Sequence, residues 1–328
     1  MQTLQIAIDL GNFELKFKTP STQPKAIRSA RMRLTAGMRT RLMADGANPI
    51  VEVNGVTWHL GYRAFEYPQQ QLTVEEQKTD NLLLHVLACI RPPEAEFEVN
   101  LVISHPTPEF AQDLIKSTLL GSHSYSYNGR SAIAHITNVE VVEESVGTFH
   151  YLKAFYPHLL PIGDTLVIDV GGGTVLTKVL DAQGNILDRQ DFERMGAYYL
   201  ANRLSKDGRL YQAVGTQPDI GLILNGIAEG THQYGKATKR AITWSHYLDE
   251  YLADWGRSIL TKCQSAYQSK MADIGAFVFT GGSSLLLKPR LDGKNLMVFC
   301  PELRFANVLG MTEKHFLPNL RAVDGEAA

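Results

Sequence analysis

Two segments of the 328-residue chain begin on the same plan. Leu4-Gln5-Ile6-Ala7-Ile8-Asp9-Leu10-Gly11 is an apolar run ending in Asp-x-Gly, after which Leu15-Lys16-Phe17 resumes an extended pattern. Leu166-Val167-Ile168-Asp169-Val170-Gly171-Gly172-Gly173-Thr174 repeats this, followed by Val175 to Leu180. Short apolar runs broken by glycine read as buried strands entering a β-hairpin with a polar tip. A duplicated α/β domain explains both copies, and at ~100 to 200 residues per domain the chain has room for two.

The intervening sequence predicts further elements. Asn54-Gly55 joins Ile50–Val53 to Val56–Leu60 as a hairpin, because Asn-Gly accepts positive φ. Asp80 is expected to cap a helix running to Ile90, which Pro92-Pro93 stops. A strand over 97–104, a helix over 108–120 and strands either side of Asn128-Gly129 complete a first domain, 1–142. The second, 143–328, carries a helix over 196–204, a long helix within 242–270 and a strand over 276–280. Leu285 to Lys288 starts helix-like and Pro289 is expected to end it. The tail after Pro318 is expected to be loose.

Backbone N–H groups at a glycine-rich turn converge into an anion nest that no side chain obstructs. Two such turns can clamp one polyphosphate. Asp9 and Asp169, each ending a strand just before its turn, are placed to hold Mg²⁺ through water, since Mg²⁺ dehydrates reluctantly. Lys16 can offer the phosphates a point charge. A later glycine turn, Thr280-Gly281-Gly282-Ser283-Ser284, completes the set. Neither Gly-x-x-x-x-Gly-Lys-Ser/Thr nor a helix-opening Gly-x-Gly-x-x-Gly is present.

On these residues the chain resembles the actin, sugar-kinase and heat-shock-chaperone ATPase superfamily. Asp9-Leu10-Gly11 with Lys16 is similar to its first phosphate motif, Asp169 to Thr174 to its second, and Thr280 to Ser284 to its adenosine motif. Glu143-Glu144-Ser145-Val146-Gly147 resembles the segment leading into the interdomain helix. The order and spacing of Leu119 to His123, Tyr127 to Arg130, Val139 to Gly147 and Phe305 to Met311 resemble the ParM/StbA plasmid-segregation actins.

That resemblance implies an α/β actin-like fold of two ribonuclease-H-like domains with a nucleotide cleft between them. Variable subdomains would lie at about 20–78 and 206–240, and the segment from about 304 would pack back on the first domain. ATP or GTP with Mg²⁺ would be bound by Gly11, Asn12, Lys16, Gly171, Gly172, Gly173, Thr174, Gly281, Gly282 and Ser283, with Asp9 and Asp169 on the metal side. Glu144 would orient the attacking water, and the helix around Gly196, Ala197 and Tyr198 would wall the nucleoside. The implied function is hydrolysis coupled to polymerisation into cytoskeletal filaments, in the cytoplasm. Its partners would be other copies of the chain and a centromere-binding adaptor, with plasmid DNA contacted only indirectly. A small-molecule kinase and a non-filament assembly scaffold of the same fold stay open. Two places depart from the pattern: Asn12-Phe13-Glu14 replaces small polar residues, and Leu176 replaces an Asp or His expected near the hydrolytic water.

Composition narrows the partners. A formal net charge of −2 offers no general attraction to nucleic acid. Cys89, Cys263 and Cys300 are too scattered for a zinc site or disulfide framework and read as reduced packing residues. No apolar run reaches the ~20 residues of a membrane span. Lys25, Arg28, Arg31, Arg33, Arg39 and Arg41 form the main basic concentration, expected as a solvated face, with a filament contact or acidic partner as the alternative. Trp244, Tyr247, Tyr251 and Trp255 fall at helical spacing and predict a packed helix face.

Overall fold

A computed structural model of the chain describes residues 1–35, 43–66, 77–235, 242–294 and 296–317. They form two compact units, Met1–Phe155 with the segment from Asn307 onward, and Tyr156–Ala306.

The first unit is built on a nine-stranded sheet. Its strands are β1 (Thr3–Leu10), β2 (Glu14–Lys18), β3 (Lys25–Arg28), β4 (Arg31–Arg33), β5 (Ile50–Val53), β6 (Val56–Leu60), β7 (Glu96–His105), β8 (Gly121–Tyr127) and β9 (Arg130–Glu143). They lie in the order β3-β2-β1-β7-β9-β8-β5-β6-β4. The β5–β6 turn holds Asn54 and Gly55 at φ 52° and 73°, as a tight hairpin demands. Helix α1 (Leu82–Cys89) is apolar almost all round and is buried at every position but Leu83. Helix α2 (Pro108–Leu119) instead buries a stripe, Ala111, Ile115 and Leu119, at four-residue spacing. After α3 (Val146–Phe155) the chain leaves the unit.

In the second unit, β10 (Asp164–Val170), β11 (Val175–Leu180), β12 (Ile186–Phe192), β15 (Ile274–Thr280) and β16 (Met297–Phe299) lie in the order β12-β11-β10-β15-β16. A small ribbon, β13 (Gln233–Tyr234) with β14 (Ile242–Thr243), stands apart. Helices α4 (Ala197–Ser205), α5 (Gly208–Val214), α6 (Ile220–Ala228), α7 (Ser245–Ala266) and the short α8 (Lys288–Leu291) follow one another, and α9 (Ala306–Phe316) carries the chain back to the first unit. Along α7, Tyr247, Leu248, Leu252, Trp255, Ile259 and Cys263 are buried. The Trp255 indole donates to Met195 O at 2.7 Å.

The duplication is visible strand by strand. β1 pairs antiparallel with β2 and parallel with β7; β10 pairs antiparallel with β11 and parallel with β15. The outer strands agree too, since β2–β3 and β11–β12 are antiparallel while β7–β9 and β15–β16 are parallel. Both units therefore hold the five-stranded ribonuclease-H-like core, with Asp9 and Asp169 at equivalent positions.

Some local expectations are corrected. Asp80 does not cap α1: the cap position is Asn81, in left-handed conformation without a side-chain cap, and the Asp80 carboxylate accepts from Gln77 N–H instead. Pro289 does not end a helix but sits in the first turn of α8, where its missing N–H costs nothing. The first unit's sheet runs through Glu143, and the compact units divide at 155/156. The basic run is not one solvated face: Arg31 is buried and Arg28 is ion-paired to Glu14, while Arg39 and Arg41 lie outside the described residues, as does the tail from Pro318. The three cysteines are buried and free, and burial pushes the Cys263 and Cys300 thiols up to about 12.

Candidate functional site

In the first unit, β1 delivers Asp9 to the end of a parallel pair, directly across from Lys16 on β2 and Ser104 on β7. The Lys16 ammonium lies 3.3 Å from Asp9 Oδ2, and the Ser104 hydroxyl donates to Oδ1 at 3.0 Å. Burial of the carboxyl raises its pKa, but Lys16, then Lys78, and the Ser104 hydrogen bond more than offset this, so it ionises below its ordinary value. Gly11 follows at a turn where a Cβ would run into the Glu14 carbonyl, which requires glycine. The Ser29 hydroxyl donates to Asn12 O at 2.6 Å and Ser29 N–H donates to Phe13 O at 3.2 Å, pinning the turn from the start of the next segment.

The unusual Asn12-Phe13-Glu14 sequence has a structural reason. Arg28 lays its guanidinium over the Phe13 ring, 4.3 Å from its centroid, and pairs with Glu14. One arginine therefore braces the turn through two of the three residues that depart from the small polar pattern.

Glu144 stands where β9 gives way to α3. Its N–H donates to His105 O at 2.9 Å, so the end of β7 carries Ser104 toward Asp9 and His105 toward Glu144. Ser145 follows with φ 73°, a left-handed conformation that a non-glycine residue adopts at a cost and that gathers at functional sites. The Glu144 side chain is buried and forms an ion pair with Lys78. Burial, then the Lys78 charge, pushes His105 down to about 4, so its ring is neutral at pH 7.

The C-terminal helix reaches the same place. Asn307 accepts from Gly147 N–H at 3.1 Å and donates to Ser104 Oγ at 3.3 Å, which in turn donates to Asp9. Sequence reading gives no role to Ser104, Asn307 or Lys78. Their contacts join residues 95, 203 and 66 positions apart, and no local motif announces them.

In the second unit, Asp169 is buried and sits across from Leu176 on β11 and Thr280 on β15. Leu176 therefore occupies the position that Lys16 holds in the first copy, and Thr280 that of Ser104. The Gly171–Thr174 turn closes by Gly171 N–H donating to Thr174 O at 3.0 Å. The start of α4 braces it: Gly196, Ala197 and Tyr198 donate their N–H groups to the carbonyls of Gly173, Gly171 and Gly172 at 3.1, 3.1 and 2.7 Å. Drawing off these carbonyls leaves the turn a set of amides, as an anion nest needs.

The last glycine turn packs on the same spot. Gly281 has φ 84°, and a Cβ there would collide with the Asp169 carboxylate and the Val170 backbone. Its N–H donates to Leu303 O at 2.8 Å. The Ser283 hydroxyl is engaged with Gly171 O at 3.0 Å, tying the two turns together, while Gly282 faces Arg304.

Among the described residues no three His, Cys, Asp or Glu side chains gather as a metal cage. The donor set still suits Mg²⁺ of one kind: a hydrated ion that takes one or two carboxylates through water and finds its remaining oxygens on phosphates. Asp9, whose oxygens already meet Ser104 and Lys16, fits that outer role. Among the described residues no helix is long and apolar enough to cross a membrane.

Residues 7–147 match the family described as Actin like proteins N terminal domain. Solved structures share the fold over the whole chain. A ParM from Clostridium botulinum, in a 15-stranded filament, is 15% identical with a TM-score of 0.77, covering 96% of this chain and 99% of its own. The archaeal actin homolog Ta0583 is 15% identical at a TM-score of 0.76, with 95% and 98% covered. The same protein in complex with ADP is matched at 14% identity and a TM-score of 0.74, with 95% and 98% covered. No curated protein sequence matches. The fold is actin-like.

Proposed function

We propose that this chain, actin-like in fold, is a nucleoside triphosphatase that polymerises in its triphosphate state and serves plasmid DNA segregation. The observation that carries the reading is the duplicated hairpin. Each unit presents an aspartate at the end of its first strand, followed by a turn whose backbone is braced from behind, so that N–H groups remain for an anion. Each turn offers its amides to phosphate, and Gly282, whose Cβ would meet only Arg304 Cγ at 3.9 Å, leaves backbone open to the nucleoside.

In this reading Gly11, Asn12, Gly171, Gly172, Gly173 and Thr174 hold the phosphates and Lys16 adds positive charge beside Asp9. Asp9 and Asp169 would hold Mg²⁺ through water, and the ion would supply charge neutralisation on the phosphate oxygens. Glu144, buried and ion-paired with Lys78, orients the attacking water by accepting a hydrogen bond from it. The neutral His105 nearby adds no competing positive charge at pH 7.

Polymerisation is supported by the neighbours of like fold, one of which is a ParM filament. A head-to-tail contact whose rotation does not close yields an open helix of subunits. Copies of the chain are then the principal partner, and DNA is engaged through a centromere-binding adaptor, in keeping with the net charge of −2. The work is cytoplasmic.

Light scattering of the purified chain with Mg·ATP, with Mg·GTP and without nucleotide tests the reading. Scattering that rises with a triphosphate and decays as phosphate is released is the expected result. Phosphate release with no scattering under any condition would remove the filament role, and neither signal would remove the function altogether.

A further inference from the structure

Two lysines and two carboxylates meet in the first unit, and they pair off. Lys16 takes Asp9, and Lys78 takes Glu144. All four side chains are at most 15% exposed. The first pair belongs to the duplicated hairpin; the second joins Lys78, four residues before α1, to Glu144, two residues before α3, and has no counterpart in any motif.

We propose that Lys78 is a positioning residue for hydrolysis: its ion pair fixes the Glu144 carboxylate in the orientation that aligns the attacking water. The assignment rests on the reading of Glu144 given above and deepens it. The Glu144 backbone is held by the hydrogen bond to His105 O and by the left-handed Ser145 that follows. A glutamate side chain nonetheless has three rotatable bonds, and a fixed backbone does not aim its carboxylate. Lys78 does, by a charge-assisted contact in a site with little water to compete. Lys78 also lines the small cavity beside the turn, together with Gly11, Asn12, Ser29 and His85. Its charge acts on Asp9 and His105 as well, holding both pKa values down. It thus lies among the phosphate turn, the metal-side aspartate and the water-aligning carboxylate.

Without Lys78, a buried Glu144 carboxylate loses a countercharge and turns toward another donor or takes up a proton. Either outcome removes alignment from the chemical step and leaves the phosphate clamp intact. Displacement of a reacting group by about 1 Å costs on the order of 100-fold in rate.

The test uses the full chain as wild type, Lys78→Met and Lys78→Arg, measuring phosphate release at saturating Mg·ATP beside calorimetric affinity. Lys78→Met should lower kcat by about 10- to 100-fold while affinity stays within about threefold, and Lys78→Arg should recover most of the rate. In a Glu144→Gln background, Lys78→Met should cost nothing further, because the group it positions is already gone. Lys78→Gln replaces the methionine variant if that one does not fold. Wild-type kcat in the charge-removed variant, or an undiminished extra loss in the Glu144→Gln background, would overturn the assignment alone. A wild-type chain that releases no phosphate from ATP or GTP would overturn the functional reading and this assignment with it.

Discussion

Asp9 illustrates how a single residue is prepared by its surroundings. Its folded pKa lies below the unfolded value near 3.8, so its ionisation stabilises the fold above that value and the contribution is lost as pH falls through the folded pKa. Lys16→Met removes the leading opposing charge, and burial, which raises the pKa, then weighs more heavily. Urea midpoints should show a deficit for the variant that is largest near pH 7 and shrinks once pH falls below the folded pKa of wild type, where the carboxyl is protonated in both proteins. An equal deficit at both pH values would deny the ion pair this role. Leu176, across from Asp169 and buried, departs from the polar residue that the family resemblance expects there. Leu176→Asp sets a second carboxylate opposite the first, and the like charges are expected to destabilise the second unit and weaken Mg·ATP binding. Thermal melting and calorimetry check this; a variant as stable as wild type with faster phosphate release would show that the leucine merely deprives the water of a partner.

Among the elements, those set by local chemistry were legible in the sequence. The Asn54-Gly55 hairpin, both aspartate-ended strands and the aromatic stripe of α7 follow from turn chemistry and periodicity alone. β12 was not, because Ile186-Leu187-Asp188-Arg189-Gln190-Asp191-Phe192 is an edge strand with no fully buried residue and so carries no alternation. The bracing of the second turn by α4 was not legible either. Main-chain hydrogen bonds from Gly196, Ala197 and Tyr198 leave no trace in side-chain identity beyond Gly196 itself, whose Cβ would strike the Gly171 and Gly172 backbone. Contacts between distant segments, such as Asn307 with Ser104, are invisible for the same reason.

The packing of α9 on α3 makes an element-scale prediction. Gly310 lies so close to the Gly147 carbonyl and Tyr151 N that a Cβ cannot be placed, and both obstacles are backbone. Gly310→Ala should therefore cost at least about 1 to 3 kcal/mol and loosen the Asn307–Ser104–Asp9 chain with it. Gly256→Ala in α7 is the control, since its Cβ would meet only Leu287 Cδ2 at 3.2 Å and alanine favours the helix by about 1 kcal/mol. Chemical denaturation of both variants checks the contrast; equal stabilities would mean the two helices separate readily.

For the whole molecule, duplication is the main physical fact. Two five-stranded cores with the same strand order place an aspartate and a glycine turn at matching positions, and they differ where Lys16 faces one aspartate and Leu176 the other. The first copy also receives Glu144, Lys78 and the C-terminal helix, so the proposed function assigns the chemistry to one copy and phosphate binding to both. That division is the central claim, and Glu144→Ala tests it most directly, with phosphate release and calorimetric Mg·ATP affinity measured side by side on variant and wild type. Affinity should persist, because Asp9, Lys16, Asp169 and both turns remain, while phosphate release falls by about 10² to 10⁴. Release at the wild-type rate would contradict the account, and so would loss of nucleotide affinity equal to the loss of rate.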